Sequence, residues 1–371
     1  MSASRPKVLH VLEALEGGTA RHLVDLATYA TGSDHVVAIP ERRVGGLTDE
    51  TARPRLAAAA AAVHLVRMHR APWSPANAVA LVALRRLVRA VQPDVVHGHS
   101  SIGGLLARLV AGRIPVVYTA NGITGVRAGV AVERALARRT RAFVATSPSE
   151  GARAEQLHLA GPHGRVVVIP NGIEPAPPPA PLDLRATLGL PAGTPLVGSL
   201  SRLVPQKAPE DLVAACRVVL EAEPEAHAVV IGDGELVREY EAAVDATGLR
   251  ARLHRIPALD GAAGVLGQLD VFFLASRFEG GPYAPLEAMR AGTPVVLTDV
   301  VGSRDAVEDG VSGRLVPPGR PDVLGEAVVA LLRDPAERSR LGAGGRARVA
   351  ARFDVRAMGA ALDELYRSLL R

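Results

Sequence analysis

Residues 279–296 read EGGPYAPLEAMRAGTPVV, which sets two carboxylates, Glu279 and Glu287, eight residues apart. A turn at Gly280, Gly281 and Pro282 lies between them, and a helical pattern follows. Glu287 then falls in the first turns of the helix, suited to gripping two neighbouring hydroxyls of a ribose. Glu279, on the loop, would reach a sugar ring. The backbone from Gly280 through Pro282, Tyr283 and Ala284 would face a diphosphate or a sugar at the helix start. A carboxylate that merely answers a helix dipole explains one Glu but not the whole phrase.

A second phrase supplies cations. Residues 201–209, SRLVPQKAP, put Arg202 and Lys207 five positions apart in one loop between a strand and a helix. A nucleotide diphosphate gains negative charge as its bond to a sugar breaks, and two fixed cations in a water-poor site answer that charge. The competing reading is a surface ion pair. Lysine usage weakens it: Lys7 and Lys207 are the only lysines, and the other 41 basic residues are arginine. In a chain that favours arginine so strongly, a retained lysine calls for a chemical reason.

Other signals are weaker alone. Gly17 and Gly18 follow an apolar run and open a helix; they read as an ordinary turn, or as close backbone approach to a phosphate. The G-x-G-x-x-G fingerprint is absent. Gly232 belongs to a Gly-Asp-Gly turn after another apolar run. His97, His99 and Ser100 are candidates for the acceptor side. No third ligand lies near the two histidines in sequence, so no metal site is expected.

These residues need a scaffold that presents loops at one edge. Short runs rich in Val, Ile and Leu recur at 7–12, 36–39, 94–97, 116–119, 142–146 and 166–169. They continue at 196–200, 228–231, 252–256, 271–274 and 295–298. They alternate with helical patterns and lack polar alternation, as parallel strands covered on both faces do. The expected fold is α/β, two Rossmann-like doubly wound parallel sheets facing across a cleft. Ligands bind beyond the carboxyl ends of such strands, where the candidate residues fall. The expected division is a first domain at 1–173, a Pro-rich hinge at 174–182 (EPAPPPAPL) and a second domain at 183–353. A terminal helix follows at 354–371, with Val355, Met358, Leu362, Leu365 and Leu369 along one face. The alanine run at 57–62 reads as helix or a tight packing surface.

Composition bounds the rest. With 371 residues and 48% apolar content there is material for two cores. The absence of a membrane-length apolar stretch, Glu13 and Glu16 inside the N-terminal apolar run, and a single cysteine, Cys216, point to the cytoplasm. Residues 1–175 carry 21 basic and 12 acidic residues, a balance of +9, and the remainder carries 22 against 26, or −4. A basic half suits an anionic acceptor or a membrane surface; a solvated basic face is the commoner case. Residues 78–92 combine apolar positions with Arg85, Arg86 and Arg89. They read as a core-packing helix, or as one that lies on the inner face of an anionic membrane. Few aromatics, 3%, and no nucleic-acid motif argue against nucleic acid.

Taken together, EGGP…LEAM…AGTPVV, SRLVPQK, VVIGDG, VIPNGI and DGVSGRLVPPG resemble the retaining nucleotide-sugar glycosyltransferases of the GT-B fold, family 4, over nearly the whole chain. The resemblance implies that Arg202 and Lys207 bind the diphosphate and Glu287 the ribose. Glu279 would hold the donor sugar, and Gly18 would approach the phosphate. It implies a hexosyl- or hexosaminyltransferase that uses a nucleotide diphosphate sugar, no cofactor and no metal, in keeping with the lack of an Asp-x-Asp triplet. DGVSGRLVPPG would be a structural strand and turn, and the last helix would pack back on the first domain. The first half resembles the exopolysaccharide and lipid-linked branch, which often reads Tyr-Thr-x-His-Gly. This chain has Tyr118-Thr119-Ala120-Asn121-Gly122. Asn121 cannot act as acid or base, but its amide can hydrogen-bond a sugar hydroxyl.

Two other readings compete. A sugar-nucleotide-binding partner without activity would fit the change to Asn121. A glycoside hydrolase would use Glu279 and Glu287 as its acid and base, but has no use for the adjoining cations. For the transferase, replacing Arg202, Lys207 or Glu279 by Ala is expected to abolish transfer and leave folding intact. The nucleotide base, the sugar and the acceptor are not legible in the sequence.

Overall fold

The computed structural model describes residues 5–41, 50–123 and 127–371. Its contacts divide the chain into two compact units, residues 1–172 with 355–371, and residues 173–354.

Seven parallel strands of the first unit form one sheet among the described residues. They are β1 (Lys7–Leu12), β2 (Asp34–Ile39), β3 (Ala62–Leu65), β4 (Val95–His99), β5 (Val116–Thr119), β6 (Ala142–Ala145) and β7 (Arg165–Val168). Their order is β3-β2-β1-β4-β5-β6-β7, which reverses direction beside β1. After Lys7 at its start, β1 is apolar or histidine on both faces, and so is β4, as central strands covered by helices must be. Leu9, Val96, Leu84, Leu106 and Ala107 pack on one side. On the other, Val8, Leu26, Val95, Val117 and Val144 meet Val355, Met358, Leu362 and Leu365 of the final helix, Val355–Ser368. That helix approaches closely because Gly359 has no side chain. A Cβ there would lie 2.4 Å from the Tyr29 backbone. Asp363 fixes the register by accepting from Gly32 N–H at 2.7 Å and Ser33 Oγ at 2.6 Å.

The alanine run departs from its reading as helix or packing surface throughout. A helix covers Ala52–Ala59, and the chain then enters β3 at Ala62. β3 is an edge strand of four half-exposed residues, so it needs no apolar run. β4 also extends two residues beyond the expected strand, which draws His99 into the sheet beside His97.

The second unit holds six parallel strands: β8 (Leu196–Leu200), β9 (His227–Ile231), β10 (Leu253–Ile256), β11 (Val271–Leu274), β12 (Val295–Thr298) and β13 (Arg314–Val316). Their order is β10-β9-β8-β11-β12-β13. β13 is the strand within DGVSGRLVPPG. The Pro-rich stretch 174–182 lies in this unit: Gln268 Nε2 donates to Leu182 O at 2.9 Å. Gly264 lies so close to Pro179 that a Cβ would come within 2.4 Å of its carbonyl. The chain passes between units at 172–173 and again at 354–355. Ile173 N–H donates to Phe353 O at 2.8 Å, so the two crossing points are tied together.

Candidate functional site

In the second unit, β8 and β11 are neighbours, so the loops after them leave the same edge of the sheet. The loop after β8 makes a single 3-10 turn, Pro205–Lys207, before the helix Pro209–Ala222. Ala208 links the two with φ at 47°, a left-handed conformation that a non-glycine residue adopts only under constraint. The loop after β11 carries Glu279. Lys207 Nζ lies 2.5 Å from Glu279 Oε1, with 15% and 5% of the two side chains exposed. Gln206 Nε2 donates to Phe278 O at 2.9 Å and faces Glu279 Oε2 at 3.4 Å, and Arg277 N–H donates to Gln206 O at 2.8 Å. The cation and the carboxylate therefore form one buried pair, clamped by a glutamine that sequence reasoning passed over. The pairing adds a stability cost to Lys207→Ala, which takes the cation away from a buried carboxylate.

Glycines let these loops lie backbone against backbone. Ser201 N–H donates to Ile231 O and Leu203 N–H to Asp233 O, at 3.0 and 2.9 Å. Gly232 has φ 147°, and a Cβ on it would sit 2.0 Å from Ser201 O. The open side of Gly232 is thus filled by the very segment that carries Arg202, and Arg202 itself is half-buried. On the other side, Gly302 has φ 84°, and its Cβ would meet Gly280 O at 2.4 Å. Glu279 N–H donates to Val301 O at 3.2 Å. Gly281 is half-buried, and the helix Tyr283–Ala291 follows the extended Pro282, whose side chain offers no cap. Tyr283 and Glu287 are buried, and Ala284 is half-buried.

In the first unit, Gly17 and Gly18 open the helix Gly17–Tyr29 and are exposed, Gly17 at φ 53°. Ser100 is committed elsewhere. Its hydroxyl donates to Glu13 Oε1 at 2.8 Å, and the other oxygen of that buried carboxylate accepts from Gly103 N–H at 2.7 Å. Glu13 thus fixes the start of the helix after β4, a role its position in the sequence gave no sign of.

The histidines form a network larger than the pair read from the sequence. His10 and His97 stand opposite each other in the β1–β4 register, and His10 supplies the third imidazole that spacing did not show. His10, His97 and His99 could bring one nitrogen each within 4.8 Å of the others. Their nitrogens are largely spoken for. His35 Nε2 donates to Ala30 O at 2.7 Å, so its Nδ1 accepts from His10 Nε2 at 3.0 Å. His10 Nδ1 in turn accepts from His99 Nε2 at 3.0 Å. One carbonyl thereby sets the tautomer of three neutral rings. His97 is bonded on both sides, to Tyr366 OH at 2.7 Å and Thr119 Oγ1 at 2.8 Å. Burial pushes His10, His97 and His99 well below the ordinary imidazole value, and the neighbouring rings add to it. His97 is accordingly a packed, neutral strand residue. His99 retains one buried nitrogen, Nδ1, with no partner among the described residues, and so does His22 at Nε2.

Asn121 follows β5 with φ 57°, half-buried, and its Nδ2 is buried with no partner among the described residues. Asparagine tolerates this left-handed backbone better than most side chains.

Comparison with known proteins gives the family of the chain. Residues 16–176 match the model described as Glycosyltransferase Family 4, and residues 182–348 match Glycosyl transferases group 1. A D-inositol 3-phosphate glycosyltransferase of Xylanimonas cellulosilytica is 32% identical over 302 residues, 74% of this chain and 71% of that one. A UDP-Gal:alpha-D-GlcNAc-diphosphoundecaprenol alpha-1,3-galactosyltransferase of Escherichia coli is 29% identical over 64% of this chain and 65% of its own. The crystal structure of Anabaena Alr3699/HepE in complex with UDP and glucose superposes with a TM-score of 0.83 at 22% identity, over 98% of this chain and 100% of that one. The chain belongs to glycosyltransferase family 4 and has the GT-B fold. It is a glycosyltransferase.

Proposed function

We propose that the chain transfers a hexosyl or hexosaminyl group from a nucleotide diphosphate sugar to an acceptor hydroxyl with retention of configuration, without a metal. The observation that carries this reading is the Lys207–Glu279 pair at the carboxyl edge of the second sheet, whose lysine shares the loop after β8 with Arg202. Arg202 and Lys207 answer the charge that builds on the leaving diphosphate. Glu279 holds the donor sugar, beside the backbone of Gly280–Ala284, and Glu287 holds the ribose. The bond between the anomeric carbon and the diphosphate oxygen breaks. The acceptor oxygen bonds to that carbon on the same face, and the acceptor's proton passes to the departing phosphate. In the first unit, the amides of the exposed Gly17 and Gly18 serve a phosphate, and Asn121 Nδ2, buried without a partner among the described residues, is the donor assigned to a sugar hydroxyl.

The acceptor reading rests on charge. The basic first half of the chain and the phosphate-bearing acceptors named for two relatives favour an anionic, phosphate-containing acceptor. No helix among the described residues is long and apolar enough to cross a membrane. An acceptor held in a bilayer would therefore be met at its surface, and the helix Pro75–Val91, with Val79 and Val82 exposed beside Arg85, Arg86 and Arg89, suits that contact.

The test is a transfer assay over a panel of nucleotide sugars. Acceptor-dependent release of nucleotide diphosphate is expected, with Arg202→Ala folded and lowered about a hundredfold or more in kcat. Full transfer by Arg202→Ala would overturn the assignment of the cations. Binding of donor without turnover would favour the non-catalytic partner instead.

A further inference from the structure

We infer that Glu150 is a positioning residue of the transfer site: its buried carboxylate fixes the Asn121–Gly122 turn and so sets where the Asn121 amide donates. The inference rests on the reading above that Asn121 serves the donor sugar. In sequence, Ser147-Pro148-Ser149-Glu150 is an ordinary capping box, and half of that box is present, since Ser147 Oγ accepts from Glu150 N–H at 3.2 Å. The other half is diverted. A capping glutamate returns to the first residue of its own box, whereas Glu150 Oε2 accepts from Thr146 N–H at 2.7 Å and Thr146 Oγ1 at 2.8 Å. Its Oε1 reaches 28 positions back along the chain to accept from Gly122 N–H at 2.7 Å.

Three features make this more than a cap. Capping glutamates sit at the surface, but Glu150 is fully buried, an environment a carboxylate tolerates only when donors surround it. The contact joins the loops after two paired strands, β5 and β6, with Thr119 opposite Val144. The bond also falls on the peptide plane between Asn121 and Gly122, and holding that plane holds the ψ angle of Asn121. Asn121 and Gly122 are consecutive residues at positive φ, 57° and 117°, and the second value is open to glycine only. The result is a side-chain amide with a buried donor, Nδ2, on a turn that the Glu150 carboxylate holds.

The test is a double-mutant cycle on the full chain with an independent readout of the turn. Glu150→Gln keeps the size but cannot accept from both Gly122 and Thr146 amides through two oxygens. It is expected to lower kcat about tenfold or more, as misplacement of a positioned group does. The same substitution in an Asn121→Ala background should change kcat by less than about twofold, because the group it positions is already gone. Equal losses in both backgrounds would overturn the inference, as would full activity of either single variant. Hydrogen exchange at the Gly122 amide should quicken in Glu150→Gln while the melting temperature holds. Should that variant fail to fold, Glu150→Asp, which keeps the charge and shortens the reach, takes its place. Unchanged exchange at Gly122 would sink the role of Glu150 whether or not the protein transfers sugar. A wild-type protein that transfers nothing would sink the proposed function alone, leaving exchange to decide this one.

Discussion

Lys207 and Glu279 are each largely shielded from water, so each is the main replacement for the other's hydration shell. Removing one partner of a buried pair costs about 3–5 kcal/mol, because the remaining charge is left without compensation. Removing a cation from the leaving-group site costs about 3–4 kcal/mol of barrier. The two costs separate experimentally. Lys207→Met should lose both stability and transfer. Adding Glu279→Gln to it should restore most of the melting temperature while transfer stays absent. If the double variant melts as low as the single one, the pair is not what holds the loop. If it transfers sugar normally, neither residue belongs to the chemistry. The carboxylate and the cation were both legible in the sequence as candidates, since Glu and a rare Lys stood in glycine- and proline-rich phrases. Their pairing was not, because 72 positions separate them and only the adjacency of β8 and β11 joins them. Gln206, Glu13 and Glu150 escaped for the same reason: each reads locally as a loop residue, an interrupted apolar run or a helix cap, and each acts on a loop distant in sequence.

At the scale of elements, the strands were readable wherever both faces are buried, because such strands must be continuous apolar runs. β3 escaped because an edge strand four residues long can be half-exposed, and the alanines before it carry no period. His97 and His99 of β4 were readable as candidates, but a parallel register had to set His10 of β1 against His97 before a network appeared. Glycine positions gave the turns without saying which were turns for a ligand and which for another loop. Gly302 is of the second kind, and it offers a test of how the loops support one another. With φ 84° and Gly280 O in the way, Gly302→Ala must push residues 279–280 aside. The expected result is a protein that folds with about 1–3 kcal/mol less stability and a kcat lowered about tenfold or more by displacement of Glu279. Gly319, also at positive φ but with open space around it, is the control: Gly319→Ala should cost stability alone. Equal transfer by Gly302→Ala and Gly319→Ala, measured at saturating donor, would mean that the loop after β12 does not place Glu279.

Across the whole molecule, the two units should respond differently to acid. Four imidazoles in the first unit, His10, His22, His97 and His99, are fully buried. Burial pushes His22 down to about 4 against an upward pull from its hydrogen bond with Asn171, and holds the other three well below the ordinary value of 6.5. In the unfolded chain all four take up protons as the pH falls through about 6.5, while the folded unit excludes them. The unfolded state then binds more protons, so the stability of this unit is whole above that pH and falls progressively below it. The share due to His22 is used up near pH 4, where the folded form also protonates. Each such histidine contributes a slope of about 1.4 kcal/mol per pH unit, and four together about 5.5. A domain holds only about 5–15 kcal/mol. The second unit carries His227 and His254 as a stacked, half-buried surface pair, whose downward shifts arise mainly from partial burial. Calorimetric melting between pH 7.5 and 5 should therefore show the first unit's transition dropping steeply while the second's moves little. His22→Asn should reduce the slope by about 1.4 kcal/mol per pH unit. A first-unit transition that stays level down to pH 5 would mean that the imidazoles take up protons without unfolding. Water or a carboxylate would then have to reach them, and the chain of neutral rings running from Ala30 O to His99 would not exist as described.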